Sequence, residues 1–404
     1  MLSQPRDWKT IKLWAGATEA QWDDWKWQFK NRITSPDQLA QAFTLTEEER
    51  RAAADSAGLF RLGITPHYAT LIDPDDPDCP MRLQAVPKPG ELAVADFEMA
   101  DPLHEDVDSP VPGITHRYPD RVLFLITHEC ALFCRYCTRR RIVGDAQGTA
   151  TTLIDGAIEY VRRSPQVRDV LVSGGDPLGV SDTRLEYVIS RLRGIEHVEV
   201  IRIGTRMPVV MPQRITREFV EMLRRYHPVW VNTHFNHPFE LQHPAARAAM
   251  ERLIDAGIPT GNQTVLLKGI NDCPVVMRKL SHELVKARCR PYYLYNCDLS
   301  EGLSHFRTTV AKGLSIMESL YGHTSGFSIP TFVIDAPGGG GKIPLMPNYL
   351  VGQEGRRVTL RNYEGRVLDY YEGTPDDHRP GGTCAVCKTD HSSLDAGGAP
   401  RSHT

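Results

Sequence analysis

The sequence predicts an α/β fold, an open or closed barrel around a parallel sheet. A mostly helical region precedes it and a small hairpin follows. Three observations carry this. Apolar runs of strand length recur about seven times after residue 121. Stretches with helical spacing separate them. A polar motif follows each run. Buried strands alternating with helices make βα units and a parallel sheet. In such barrels the chemistry sits at the C-terminal ends of the strands.

The elements follow in order. Residues 1–110 are expected to be mostly helical, because WDDWKWQFKNRI and TEEERRAAADSAGLFRLG carry helical spacing and strong helix formers. IDPDDPDCPM reads as loop. Residues 111–345 form the barrel core. Its strands are RVLFLIT, VRDVLVSGGD, VEVIRIGTR, PVWVNTHFNH, PTGNQTVLLKG, RPYYLYNCD and SIPTFVIDAPGGGGK. Helical stretches such as LIDGAIEYVRRS, TRLEYVISRLRG, ITREFVEMLRRYH, PAARAAMERLIDAG and VMRKLSHELVKA lie between them. In residues 346–404, RRVTLRNYEGRVLDYYEG reads as a hairpin with Glu-Gly at its turn. A hydrophilic cysteine-containing tail ends in a segment expected to be disordered.

Composition narrows the function. With 41% hydrophobic and 24% charged residues the chain can bury a large core and remain soluble. A formal net charge of −3 gives no global basic field, so no nucleic-acid partner is expected. No apolar run is long enough to span a bilayer, and the first residues lack a secretion signal. Nine cysteines cluster at 130–137 and 384–387, with four singles. That pattern favours metal or cofactor ligation in a reducing cytoplasm over a disulfide framework.

CALFCRYCTRRR places Cys130, Cys134 and Cys137 on one loop and three arginines directly after it. Three thiolates can hold three irons of a four-iron cluster whose usual complement is four. The fourth iron is then open to a non-protein ligand. The alternatives are a zinc site with one distant ligand, or unlinked core cysteines. This spacing after the first barrel strand, with Tyr136 before the last cysteine, resembles the radical S-adenosylmethionine (SAM) enzymes. The resemblance implies that SAM chelates the open iron and that the reduced cluster cleaves it to a 5′-deoxyadenosyl radical. SGGDPL then resembles that family's Gly-Gly-acidic loop. Gly174 and Gly175 would let the backbone approach the ligand, and Asp176 would accept from an ammonium. Thr205, Arg206 and Gln263 are candidate contacts to the SAM ribose and carboxylate.

DAPGGGGK, Asp335 to Lys342, is not a phosphate-cradling Walker loop, because Ala336 stands where glycine is required and Ile343 where Ser/Thr is. It reads either as a flexible glycine linker or as a lysine on a loop flexible enough to reach an aldehyde cofactor. Together with the cysteine loop it makes the chain resemble the lysine 2,3-aminomutase family, from roughly residue 5 to about 390. The resemblance implies a partial (β/α)6-type barrel and an isomerase interconverting L-lysine and L-β-lysine. Lys342 would hold pyridoxal phosphate (PLP) as a Schiff base, while Arg117, Tyr118 and Arg121 of THRYPDR meet PLP and its phosphate. Arg139 would bind the substrate carboxylate, and Asp298 and Asp335 the distal amino group. The adenosyl radical would take hydrogen from C3, and nitrogen would move from C2 to C3.

Some alternatives stay open. A guanidinium also fits two aspartates, so arginine or another cationic amino acid is a rival substrate. A protein-lysine-modifying aminomutase and a non-catalytic iron–sulfur protein are weaker rivals. The family's tail zinc site needs four cysteines, and this chain offers Cys273, Cys384 and Cys387, with Gly382 at the fourth position. His378, His391 or water could complete it, or it is empty. The remaining expectations are a cellular one-electron reductant as partner, a homo-oligomer (dimer or tetramer), and no membrane partner.

Overall fold

The computed structural model describes residues 4–58, 60–144 and 151–373. A nine-stranded sheet runs in chain order from β1 to β9. Its strands are β1 (Ile114–Tyr118), β2 (Arg121–Leu125), β3 (Asp169–Ser173), β4 (Val200–Gly204), β5 (Val229–Thr233), β6 (Thr260–Leu266), β7 (Arg290–Asn296), β8 (Thr331–Ala336) and β9 (Gly341–Pro344). β2 through β8 pair in parallel. β1 and β9 are antiparallel edges. No ladder joins β1 to β9 among the described residues, so the barrel is open. The six parallel crossovers carry the helices Thr151–Arg162, Asp182–Arg193, Arg217–Arg224, Pro244–Asp255, Pro274–Lys286 and Val310–Leu320. This is the expected partial α/β barrel, with the seven apolar runs as its parallel strands.

The strands alternate with a period of two, which builds both the core and the site. Phe124, Val170, Val172, Ile201 and Ile203 are buried in the hydrophobic core. Arg121, Leu123, Asp169, Leu171, Ser173, Arg202 and Gly204, of opposite parity, line an interior cavity. The helices complete the core by their own period. In Asp182–Arg193, Leu185, Val188, Ile189 and Leu192 are buried on one face. Each such side chain contributes roughly 1.5–3 kcal/mol. Ser181 starts that helix by accepting from the Arg184 N–H.

The helical N-terminal region belongs to the same compact unit as the barrel, which ends at Pro347. It clasps the cysteine loop. Phe133 N donates to Gly63 O and Arg135 N to Gln84 O, each at 3.0 Å. Arg135 Nε and Nη2 also donate to the buried Glu91 carboxylate at 2.5–3.1 Å. The second unit begins at Asn348. Its expected hairpin is β11 (Arg357–Arg361) with β12 (Val367–Tyr371), and Gly365 takes φ +82° in the turn. A third strand, β10 (Leu350–Glu354), pairs with β11 and was not apparent in the sequence.

The glycine-rich segment differs from the sequence expectation. Lys342 sits on strand β9, in register with Asp335 of β8. The glycines serve the turn between them: Gly338, Gly339 and Gly341 have φ of +69°, +81° and +77°. Side chains rarely adopt that region. The segment is a tight hairpin that aims one lysine, and the flexible-loop reading is corrected.

Candidate active site

The cavity encloses about 900 Å³ and runs the length of the barrel strands. Cys130, Cys134, Cys137, Arg139, Gly174, Gly175, Asp176, Arg206, Gln263, Asp298, Asp335, Lys342, Arg117, Tyr118 and Arg121 all line it. These are the sequence-derived candidates apart from the zinc cysteines. Cys273 is exposed at the start of the helix Pro274–Lys286. Cys384, Cys387, Gly382, His378 and His391 lie outside the described residues.

The cysteine loop leaves the end of β2 and is held from below by the loop after β3. Gly175 N donates to Thr127 O at 2.7 Å and Asp176 N to Glu129 O at 2.8 Å. A Cβ on Gly174 would stand 2.1 Å from Thr127 O, and one on Gly175 2.3 Å from Glu129 O. The two glycines therefore admit the backbone of the cysteine loop, and both also line the cavity where the ligand is expected. Asp176 likewise works inward. Its carboxylate accepts from Thr205 Oγ1 (2.7 Å), Arg206 N (2.8 Å) and Leu178 N (3.0 Å). Burial raises its pKa to about 6 despite these donors.

Arg206 lies beneath the cysteines. Its Nη1 donates to Cys134 Sγ at 2.8 Å, and its Nη2 to Glu240 Oε1 at 2.8 Å and Gln84 Oε1 at 2.7 Å. Burial, with Cys134 beside it, pushes the Cys137 thiol up to about 12. Burial, with Cys137, Asp176 and Cys134 nearby, also raises the Cys130 thiol well above its ordinary value. Bare thiolates are thus disfavoured here, and a cationic metal centre is what would stabilise them. Among the described residues no three Cys, His, Asp or Glu side chains converge on a single ion. A four-iron cluster is different, since it takes each thiolate on a different iron. Two buried polar atoms on the cavity wall add to the fit, because Asn232 Nδ2 and His234 Nε2 have no partner. Tyr136 stacks on the His234 ring at 5.7 Å, and burial holds that imidazole neutral, with its pKa near 3.

Further along the cavity, the Lys342 ammonium lies 3.1 and 3.2 Å from the Asp335 oxygens. Its backbone N donates to Tyr118 Oη at 2.9 Å. Asp298 accepts from Thr138 Oγ1 at 2.6 Å. Burial raises its pKa to about 6, and Asp335 nearby adds to the shift. Arg139 is paired with Glu105, its Nε at 2.9 and 3.0 Å and its Nη2 at 2.7 Å. At the N-terminal strand ends stand Arg121, paired with Asp120, and Arg290; from mid-strand β4, Arg202 pairs with Asp169. Arg117 pairs with Asp108 at 2.6 Å. A phosphate entering this end would meet several guanidiniums, which fits a dianion.

Sequence reasoning missed Glu105, Arg202, Asn232 and His234. Arg202 had a readable signal: a charge in the middle of an apolar strand, at the parity of the cavity face. Glu105 had none, since its meaning depends on an arginine 34 residues away.

A family model described as lysine-2,3-aminomutase matches residues 317–394, and one for the radical SAM superfamily matches residues 124–279. The L-lysine 2,3-aminomutase of Clostridium subterminale is 56% identical over 380 residues, covering 94% of this chain and 91% of its own length. That of Bacillus subtilis (strain 168) is 53% identical over 376 residues, covering 93% and 79%. A glutamate 2,3-aminomutase of Clostridioides difficile is 47% identical over 352 residues, covering 87% and 83%.

Proposed function

The chain belongs to the lysine 2,3-aminomutase family and is a radical SAM isomerase, which implies a four-iron cluster and SAM; from that premise we propose that its substrate is free L-lysine, converted to L-β-lysine with PLP held at Lys342. The observation that carries this reading is the charge layout of the cavity. Arg139, two residues after the third cysteine, brings a cation to the cavity wall. Two acids, Asp298 and Asp335, also line the cavity, and the Lys342 ammonium is already paired with Asp335. An α-amino acid with a cationic side chain complements that layout. A glutamate side chain would add a third carboxylate to the two aspartates and be repelled.

When bound, SAM on the cluster supplies the hydrogen-abstracting radical, and PLP supplies the π-system that carries the unpaired electron while nitrogen moves from C2 to C3. The chain's own residues do the rest. Cys130, Cys134 and Cys137 would hold the cluster through three thiolates. Arg117, Tyr118 and Arg121 would hold the phosphate end of PLP. Arg139 grips the substrate carboxylate, and Asp298 and Asp335 grip the distal ammonium. Fixing both ends would hold the substrate in one orientation within the cavity, which is catalysis by positioning. The Lys342 ammonium, now paired with Asp335, marks where a substrate cation is welcome. With Lys342 holding PLP, Asp335 would be free to accept the substrate ammonium.

The side-chain assignment is tested by Asp298→Ala. Lysine turnover should drop sharply through a raised KM. Unchanged lysine kinetics would remove Asp298 from the binding site and leave the cationic-substrate reading without its main support.

A further inference from the structure

We propose that Glu105 is a positioning residue for substrate recognition: it holds Arg139 so that one edge of the guanidinium is left to meet the substrate carboxylate. This rests on the aminomutase reading above and deepens it.

The geometry is specific. Both Glu105 oxygens accept from Arg139, and together they take the Nε and Nη2 atoms. That is one edge of the planar fork. Nη1 has no protein partner among the described residues, and Arg139 lines the cavity. The Nη1 edge is therefore the part of the guanidinium open to a ligand. Glu105 is itself buried, and Arg139 offsets the desolvation that would otherwise raise its pKa, holding the carboxyl below the usual range. An ionised, buried, bidentate acid fixes the plane of its partner.

Glu105 is in turn held by its own segment. Asp101 and Asp106 both pair with Arg141, at 3.3 and 3.0 Å. Asp108 pairs with Arg117 at 2.6 Å. Gly338 N, in the lysine hairpin, donates to Pro102 O at 3.0 Å. Residues 101–108 thus form an acidic strap. It ties two arginines of the cysteine loop to the phosphate-side arginine and to the hairpin carrying Lys342. Arg140, the remaining arginine of the run, is taken by Glu91 at 3.0 Å. All three cations after the cysteines have acidic partners, but only Arg139 among them lines the cavity.

The rival role for Glu105 is a plug that sits where the substrate carboxylate belongs and must leave. The two roles differ in sign. Removing a plug lowers KM, whereas removing a positioner raises it. The test is anaerobic kinetics of the reconstituted enzyme with L-lysine, for wild type, Glu105→Gln and Glu105→Asp, together with thermal-shift titration using L-lysine and L-lysinamide, which lacks the carboxylate. The expected result is a KM raised roughly tenfold or more in Glu105→Gln, with kcat within about threefold, as for loss of an oriented charged contact. L-lysine should bind correspondingly weaker, L-lysinamide should be unaffected, and Glu105→Asp should restore part of the loss. An unchanged or lowered KM, or equal weakening of both ligands, overturns the proposal. Wild-type protein that does not turn over lysine at all would instead overturn the parent reading.

Discussion

Lys342 and Asp335 face each other across the β8–β9 ladder, with the ammonium 3.1 and 3.2 Å from the two carboxylate oxygens. The lysine proposed to carry PLP is thereby presented by a rigid hairpin, next to an acid proposed to read the substrate. Borohydride reduction of PLP-loaded protein should place the pyridoxyl label on Lys342. Lys342→Ala should lose the label and lower activity by at least about 10³-fold. A label on another lysine contradicts the assignment.

Asp298 sets a pH dependence. Its pKa is raised to about 6 by burial, with Asp335 contributing, against an ordinary value near 4. Below pH 6 it is neutral and cannot pair with an ammonium, so kcat/KM for lysine should fall up to about tenfold per pH unit on that side. Asp298→Asn should remove this limb of the profile. The linkage has the opposite sign for stability. A raised carboxylate pKa means the folded state binds the proton more tightly, so stability is lost as pH rises from about 4 to 6. Asp298→Asn should therefore be more stable than wild type at pH 7.5, by up to about 2–3 kcal/mol, with the gain vanishing near pH 4. Denaturant melts at the two pH values measure this.

Gly174 and Gly175 have no room for a side chain, because the atoms in the way are backbone oxygens of the cysteine loop. Gly174→Ala and Gly175→Ala should displace that loop. Iron after anaerobic reconstitution should fall from about four per chain to below one, following the cluster assignment. Retention of full iron in both variants would show that the contact does not hold the loop in place.

Arg206 donates to Cys134 Sγ and pairs with buried Glu240. A cation and an N–H···S bond favour the reduced, more negative cluster. Arg206→Lys should shift the cluster's reduction potential to a more negative value in an EPR-monitored titration. Arg206→Gln should in addition lose about 3 kcal/mol of stability by leaving the buried Glu240 charge without its cation. An unchanged potential in Arg206→Lys would mean that the sulfur contact does not tune the cluster.

The barrel was legible because each buried parallel strand is a compact apolar run, as in RVLFLIT and SIPTFVI, and the crossover helices repeat at 3.6 residues. The edge strands were not. ITHRY has a single fully buried position and GKIP begins with glycine, so neither shows a period. Cys130, Lys342 and Asp298 were legible through motif and resemblance. The glycines carry a further packing reason that the sequence did not show: their neighbours are the backbone of the cysteine loop and the turn of the lysine hairpin. Glu105 escaped because an ion pair between a loop acid and a distant arginine leaves no local pattern. The three arginines after the cysteines made sense only once their acids were in place: Glu105 on Arg139, Glu91 on Arg140, and Asp101 and Asp106 on Arg141.

The most direct test of lysine 2,3-amino migration is anaerobic incubation of reconstituted protein with PLP, SAM and dithionite and a panel of L-lysine, L-arginine, L-ornithine and L-glutamate, with products resolved as α- or β-amino acids. The expected result is L-β-lysine from L-lysine, dependent on both PLP and SAM, with no β-glutamate. β-Arginine as the main product, or no β-lysine from protein holding a full cluster, would contradict it.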